Sequence, residues 1–363
     1  MKFGLMCMFS DPGTVPQERA FQEVFEEIEY AEALGFDSVW LSEHYLSVHS
    51  PLGDALTLAA AIAQRTSRIK IGTAVVPLPF HHPLRLAEQA ALVDVLSAGR
   101  LLLGMGRGYQ PNEFASFGAD PEQSRAMFQE SLDILQKAFT EENFSYTGDF
   151  WTAQDITLFP KPLQQPHPPF YMAAVTPPSY TLAADLGLPI LRSPNFTRMD
   201  LVEQQWQVYC ARLQKQGLNA HDMDQPLLMK TYVAETEEEA RRVAEPHARW
   251  FHRLLGSLLP GASGQSVPAG YELLGLERKY HEEASFDDLY EWGACYGTPE
   301  RVIELIKQSG RRTGTNHWLA DMKFGGMPHD KTMKSMELFA RHVIPALRDM
   351  ESHGLGETVN PER

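Results

Sequence analysis

His44 is well suited to move a proton near neutral pH, because imidazole titrates there. It follows Trp40-Leu41-Ser42, and Glu43 stands beside it as a carboxylate that could orient the ring. A second group is Gly104-Met105-Gly106-Arg107-Gly108-Tyr109. Glycines there let a backbone approach a ligand, and Arg107 can grip a carboxylate or phosphate with two parallel hydrogen bonds. A third is Thr176-Pro177-Pro178-Ser179, a cap-then-proline helix start. Helix N-termini attract phosphate; the prolines lack a donor, leaving the N–H groups of Ser179 and Tyr180 and the two hydroxyls. Each group has a plainer reading, since a lone histidine is often structural and a helix cap needs no ligand.

Other chemistries fit less well. A dinucleotide-binding GxGxxG would need glycine where Tyr109 stands. His81-His82 precede Pro83 at a helix start, and His247 and His252 are not at HExxH spacing, so no metal site is expected. A G-x-S-x-G nucleophile elbow is missing.

These groups need elements to position them. Short β-rich runs at 2–9, 37–42, 69–76, 100–105, 169–175, 188–192, 227–234 and 317–324 alternate with helical patterns, among them 17–34, 54–66 and 83–96. Asp120-Pro121-Glu122-Gln123 and Thr298-Pro299 mark further helix starts. Eight βα units without a composition break imply one closed (β/α)₈ barrel, whose active groups belong at the C-terminal ends of strands. His44 and Arg107 fall there. Two segments break the repeat: 144–159 reads as a β-hairpin, and 254–296 as a lid-like insertion over the mouth. Its Leu254, Leu255, Leu258, Leu259, Leu273 and Leu274 suggest a hydrophobic substrate.

The 363 residues, 43% hydrophobic and 22% charged, suit an ordinary soluble protein, and a net charge of −15 argues against nucleic acid or anionic membrane as main partner. Cys7, Cys210 and Cys295 form no CxxC pair and suit a reducing compartment. Neither a signal peptide nor a membrane span is expected, so the expected location is the cytoplasm.

The stretch 69–118, the pair Glu43-His44, Ser124-Arg125, GTPERV at 297–302 and FGGMPHDKTMKSMELFARHVIPAL at 324–347 together resemble the bacterial luciferase-like flavin monooxygenases, in register along nearly the whole chain. The resemblance implies a single barrel domain over 1–351 with a tail at 352–363. It also implies reduced FMN from an NAD(P)H:flavin reductase, dioxygen, a flavin 4a-hydroperoxide, a small organic substrate and a homodimer. His44 would be the catalytic histidine, with Glu43 beside it. Arg107, Arg125 and the Thr176–Ser179 turn would cradle the flavin phosphate, with Gly106, Tyr109, Val175 and Tyr180 adjoining. Ala74-Val75 would form a non-prolyl cis peptide beneath the ring. Many members have Ser-Pro-Glu-Ser where this chain has Thr-Pro-Pro-Ser, and Tyr45 replaces a second histidine. Light-emitting members have cysteine where Gly106 stands, so light emission is not implied. Two alternatives stay open: a deazaflavin-dependent oxidoreductase on the same barrel, and a non-catalytic flavin-binding subunit.

Overall fold

The computed structural model describes residues 1–48, 50–264 and 266–348; the expected tail at 352–363 and the end of the expected domain lie outside these. In chain order the elements are β1 (Lys2–Cys7), α1 (Gln17–Leu34), β2 (Ser38–Leu41), α2 (Ala55–Arg65), β3 (Lys70–Thr73), β4 (Val76–Pro77), α3 (Pro83–Leu96) and β5 (Leu101–Gly106). Then come α4 (Pro111–Phe117), α5 (Ser124–Thr140), β6 (Phe144–Thr147), β7 (Thr152–Ile156), β8 (Phe170–Ala173), α6 (Pro177–Asp185), β9 (Ile190–Leu191) and α7 (Met199–Gln214). The chain ends with β10 (Pro226–Val233), α8 (Glu237–Leu258), α9 (Glu272–Glu283), α10 (Phe286–Asp288), β11 (Cys295–Gly297), α11 (Pro299–Thr313), β12 (His317–Asp321), α12 (His329–Leu338) and α13 (Ile344–Arg348).

Parallel pairing runs β10-β12-β1-β2-β3-β5-β8-β9, and a bridge from Arg192 to Leu227 returns β9 to β10. The ring is therefore closed, as the alternation of strand and helix predicts. β4 adds to β5 and β11 to the C-terminal half of β10. β6 and β7 form the expected antiparallel hairpin.

Local signals explain where the elements stop. α1 ends at Gly35, whose φ of 87° is the left-handed conformation that side chains disfavour. α3 begins at Pro83, where the missing N–H costs nothing. The capping side chain of Asp54 accepts from Thr57 N at the start of α2. Two expectations need correction. Asp120 does not start α5: its carboxylate accepts from Glu122 N in a local turn, and the helix begins at Ser124. The run expected over 69–76 divides into β3 and β4, with the cis Ala74-Val75 peptide between them. That cis bond lies where the family resemblance puts one.

Inside the ring, Trp40 is wholly buried, its indole N–H donating to Ser38 Oγ at 2.9 Å, and Ser38 Oγ lies 2.8 Å from His317 Nε2. Asp224 joins this floor through His317 Nδ1 at 3.2 Å and Tyr171 OH at 2.7 Å. Burial would raise the Asp224 carboxyl, but His317, Lys2 and Tyr171 outweigh it and hold the group below the usual range. Helices cover the outer face of the strands with a continuous apolar core. Packing is tight where strands approach: a Cβ added at Gly104 would lie 2.0 Å from the backbone oxygen of Thr73 and 2.7 Å from Leu191. Gly104→Ala should therefore destabilise the barrel at the upper end of the roughly 1–3 kcal/mol overpacking range or beyond, since backbone cannot move aside as a side chain can. Urea denaturation measures this, and an unchanged midpoint would show that the strands relax freely.

Candidate active site

A cavity opens at the C-terminal ends of the strands, enclosing about 1010 Å³ including its solvent-open part. Its wall contains Glu43, His44, Ala74, Val75, Gly106, Arg107, Tyr109, Val175, Thr176 and Ser179, so most of the residues singled out in the sequence meet in one place. Met6, Met8, Leu191, Phe196, Leu228, Leu274 and Leu319 make much of the remaining wall apolar. Of the lid leucines proposed from sequence, Leu274 reaches this wall, whereas Leu255 and Leu259 are buried in the apolar cluster behind it.

Two expected site residues lie outside the wall. Tyr180 is 1% exposed, packed in the core, and burial pushes its phenol upward. Arg125 is exposed and donates to Pro178 O at 2.6 Å, tying its guanidinium to the Thr176–Ser179 turn rather than to the wall. The expected free N–H donors are also spoken for. Ser179 N and Tyr180 N both donate to Thr176 O, at 2.8 and 3.2 Å, because the Tyr180 bond is the first i→i−4 bond of α6. The Ser179 hydroxyl accepts from Thr176 N at 3.0 Å.

The partner of His44 is likewise not the expected one. Glu43 is buried, and both its oxygens are engaged elsewhere: Oε2 accepts from Ala55 N at 2.8 Å, and Oε1 meets the Tyr45 hydroxyl and His81 Nε2 at 2.6 Å. The carboxylate beside His44 belongs to Glu113 on α4, with Oε1 3.1 Å from His44 Nδ1 and accepting from Tyr45 N at 2.9 Å. The Gln110 side-chain amide lies 2.9 Å from the same ring nitrogen. Glu113 is 2% exposed, and its Oε2 has no hydrogen-bond partner among the described residues. Sequence reasoning missed Gln110 and Glu113; the only signal was Gln110-Pro111, a proline opening a helix too short to show a period.

Two arginines reach the wall: Arg192, wholly buried, donates to Thr313 O at 2.6 Å and lies over Trp206, and Arg107 stands at the end of β5. Among the described residues no carboxylate pairs with it; its guanidinium instead lies 5.1 Å from the ring centre of Tyr271. Burial lowers its affinity for its proton, Tyr271 partly offsets this, and the charge of Arg125 adds to the lowering. Two guanidinium groups close enough to repel, with no local anion, form a site that an anion would relieve.

Of the segment 254–296, Tyr271 and Leu274 reach the cavity wall, and the segment is largely built of regular elements: it takes the end of α8, then α9, α10 and β11. Tyr271, just before α9, donates to Gly108 O at 3.1 Å and lies 3.1 Å from Ser124 Oγ. Lys230 sits 3.1 Å from the ring centre of Phe251 on α8 and 3.3 Å from Asp321 Oδ2, both ends of this pair fully buried. Burial lowers the Lys230 ammonium to about 8 against the pull of Asp321, and raises the Asp321 carboxyl. His252 on α8 and His281 on α9 face each other with Nδ1 atoms 2.9 Å apart.

Fold and cavity together define a closed α/β barrel with a largely apolar pocket, an imidazole and a guanidinium at its strand ends. The sequence profile described as luciferase-like monooxygenase matches residues 1–317, and the chain belongs to that family of flavin-dependent oxidoreductases. It is 28% identical over 351 residues to limonene 1,2-monooxygenase of Rhodococcus erythropolis, covering 95% of this chain and 87% of that one. It is 26% identical over 363 residues to the oxygenase component of the flavin-dependent trigonelline monooxygenase of Acinetobacter baylyi, covering 96% of each. The crystal structure of a monooxygenase from Streptomyces bottropensis superposes with a TM-score of 0.82 at 29% identity, covering 95% of this chain and 99% of that one. No helix among the described residues is long and apolar enough to cross a membrane.

The paired imidazoles generate a pH prediction. Burial holds His281 down to about 4, against a raising hydrogen bond from the Phe196 backbone, and burial, His281 and Lys230 push His252 well below its ordinary value. An open lid therefore binds more protons than a closed one below about pH 6.5, so closure is complete above that value and lost as pH falls toward 4. For His281 alone, the opening equilibrium of α8 and α9 should rise about 30-fold between pH 7.5 and pH 5. Hydrogen exchange corrected for intrinsic rates reads this, with His281→Phe removing the His281 contribution. Equal corrected protection at both pH values in the wild type would mean the pair does not fasten the lid.

Proposed function

We propose that the protein oxygenates a small, neutral, hydrophobic organic molecule, using dioxygen and reduced FMN delivered by a separate NAD(P)H:flavin reductase. The observation that carries this reading is a largely apolar cavity whose wall holds both a carboxylate-held imidazole and a guanidinium without a carboxylate partner among the described residues. The A. baylyi relative, named as an oxygenase component, supports the separate reductase. The free cysteines suit the cytoplasm, and the family resemblance supports a homodimer.

The residues fit FMN on the ground that matters most, an unmet need for an anion. Arg107, with Arg125 reaching the rim and the hydroxyl of Thr176 in the wall, would hold its phosphate, while the Ser179 hydroxyl, donating to Thr176 O at 2.7 Å, shapes the turn. Gly106, Ala74 and Val75 offer a smooth, apolar surface to a planar ring. Bound reduced FMN supplies the electrons that activate dioxygen, chemistry beyond any side chain. The protein contributes the rest. Glu113 fixes His44 through Nδ1, so the imidazole exchanges protons through Nε2, and Tyr271 with Leu274 keeps water from the reacting centre.

Two outcomes are expected. Wild-type protein should bind FMN far more tightly than riboflavin, and Arg107→Met should weaken FMN roughly 10- to 150-fold, the worth of a charge-assisted hydrogen bond. Equal affinity for FMN and riboflavin in the wild type would overturn the phosphate site, and tight binding of a deazaflavin without oxygen uptake would favour hydride transfer instead. His44→Ala should bind reduced FMN almost normally yet form product roughly 10²- to 10⁴-fold more slowly, with oxygen leaving as hydrogen peroxide. Stopped-flow mixing with oxygenated buffer and a peroxide assay measure this. Unchanged product yield would make His44 structural.

A further inference from the structure

A second cavity, about 920 Å³ with its open part, lies between β1, α1, the loop after β2 and the loop after β12. Its volume is that of a small-molecule site. Met6 and Met8 belong to its wall and to that of the first cavity, so only the end of one strand separates the two. Methionine is unbranched and flexible, the side chain least able to keep such a partition rigid.

The wall chemistry selects the ligand. Phe9, Phe21, Val24 and Val48 join the two methionines to make the lining mainly apolar. The ionised groups of the wall, Asp11, Glu27 and Lys323, already have partners within the chain. Lys323 donates to Glu23 at 2.8 Å and to Glu27 at 2.7 Å, and these carboxylates raise its hold on its proton. Asp11 is satisfied within its own turn by Gly13 N and Thr14 N, both at 2.8 Å. The contrast with Arg107 is direct: the first cavity presents a cation without a carboxylate partner, whereas the second presents no such cation among its described wall residues. A phosphate or carboxylate would find no partner there. A neutral apolar molecule would bury surface at about 25 cal/mol per Å² with nothing left unpaired.

Two features at the rim point the same way. Val48, in the wall, is 58% exposed, an apolar side chain standing in water at the opening. Phe9, in the wall, has a φ of 59°, an uncommon conformation for an aromatic residue and a mark of a loop shaped for something other than backbone ease.

We propose that this cavity is a second binding chamber for a neutral apolar organic molecule, adjoining the first across Met6 and Met8. It rests on the proposed function in one respect: the molecule is of the class that the first cavity is proposed to oxygenate.

The neutral fluorophore N-phenyl-1-naphthylamine is a suitable probe. In protein saturated with oxidised FMN it should still bind one equivalent, with its emission quenched by the neighbouring flavin. Ala20→Trp, projecting from α1 into the second cavity alone, should weaken that binding at least 10-fold and leave FMN affinity unchanged. Val48→Trp, at the exposed rim, should obstruct it without touching the core. A crystal soaked with 1-bromonaphthalene should show the bromine between Met8, Phe21 and Val24. Complete displacement of the fluorophore by FMN, wild-type affinity in both variants, or bromine confined to the first cavity would each overturn the chamber. Failure of FMN to bind would instead overturn the cofactor reading. In that case two fluorophore sites in the flavin-free wild type and one in Ala20→Trp still support the chamber, and an equal number overturns it.

Discussion

A partly buried guanidinium without a carboxylate is the constraint around which the mouth of this barrel is arranged. Taking a charge out of water costs several kcal/mol unless something replaces the solvent. For Arg107 the replacement within the chain is the face of Tyr271, 5.1 Å away, which relieves only part of that cost. The same tyrosine donates to Gly108 O, one residue beyond the arginine, and contacts Ser124, one residue before Arg125. One side chain from the lid therefore touches both halves of the anion site. Lid position and anion binding are linked through it, and an anion beside Arg107 would alter what Tyr271 has to stabilise.

The two buried glutamates illustrate how similar groups take different work from their surroundings. Glu43 spends its oxygens on the start of α2, on Tyr45 and on His81, and so joins three segments of the mouth. Glu113 holds His44 and the Tyr45 backbone with one oxygen and keeps the other without a hydrogen-bond partner among the described residues. A buried carboxylate that is only half satisfied is costly as pure architecture, and such groups collect where chemistry needs them.

Much of this was legible in the sequence wherever the signal was local and periodic. α1 and α3 fall on the residues their patterns and end signals mark, and the eight strands are where short apolar runs occur. The strand-end rule brought His44 and Arg107 to one cavity before any coordinates were needed. What failed was pairing across distance. Glu43 adjoins His44 in sequence, but neighbouring side chains in extended backbone point apart, and the true partner comes from 69 residues downstream. α4 has seven residues, too few to show a helical period. Asp120-Pro121-Glu122-Gln123 has the composition of a helix start, yet the same side chain can close a turn instead, and here it does. The Tyr180 donor was lost to bookkeeping of the first helical turn, where the fourth residue after the cap is no longer unpaired.

Rigidity is distributed unevenly along the barrel axis, and the chemistry follows that gradient. The floor is cross-linked by the Trp40, Ser38, His317, Asp224 and Tyr171 network, and every residue of β10 is buried. At the mouth, α9 packs on α8 through Leu274, Phe251, Leu255 and Leu259, and polar contacts of Tyr271, the imidazole pair and Glu277 with Arg198 add to this. His44 and Glu113 lie outside the segment 254–296: one follows β2 and the other sits on α4. The contact between Tyr271 and Arg107 thus depends on the segment before α9, whereas the contact between His44 and Glu113 does not. Were that segment to move, the surroundings of Arg107 would change while the imidazole and its carboxylate stayed assembled.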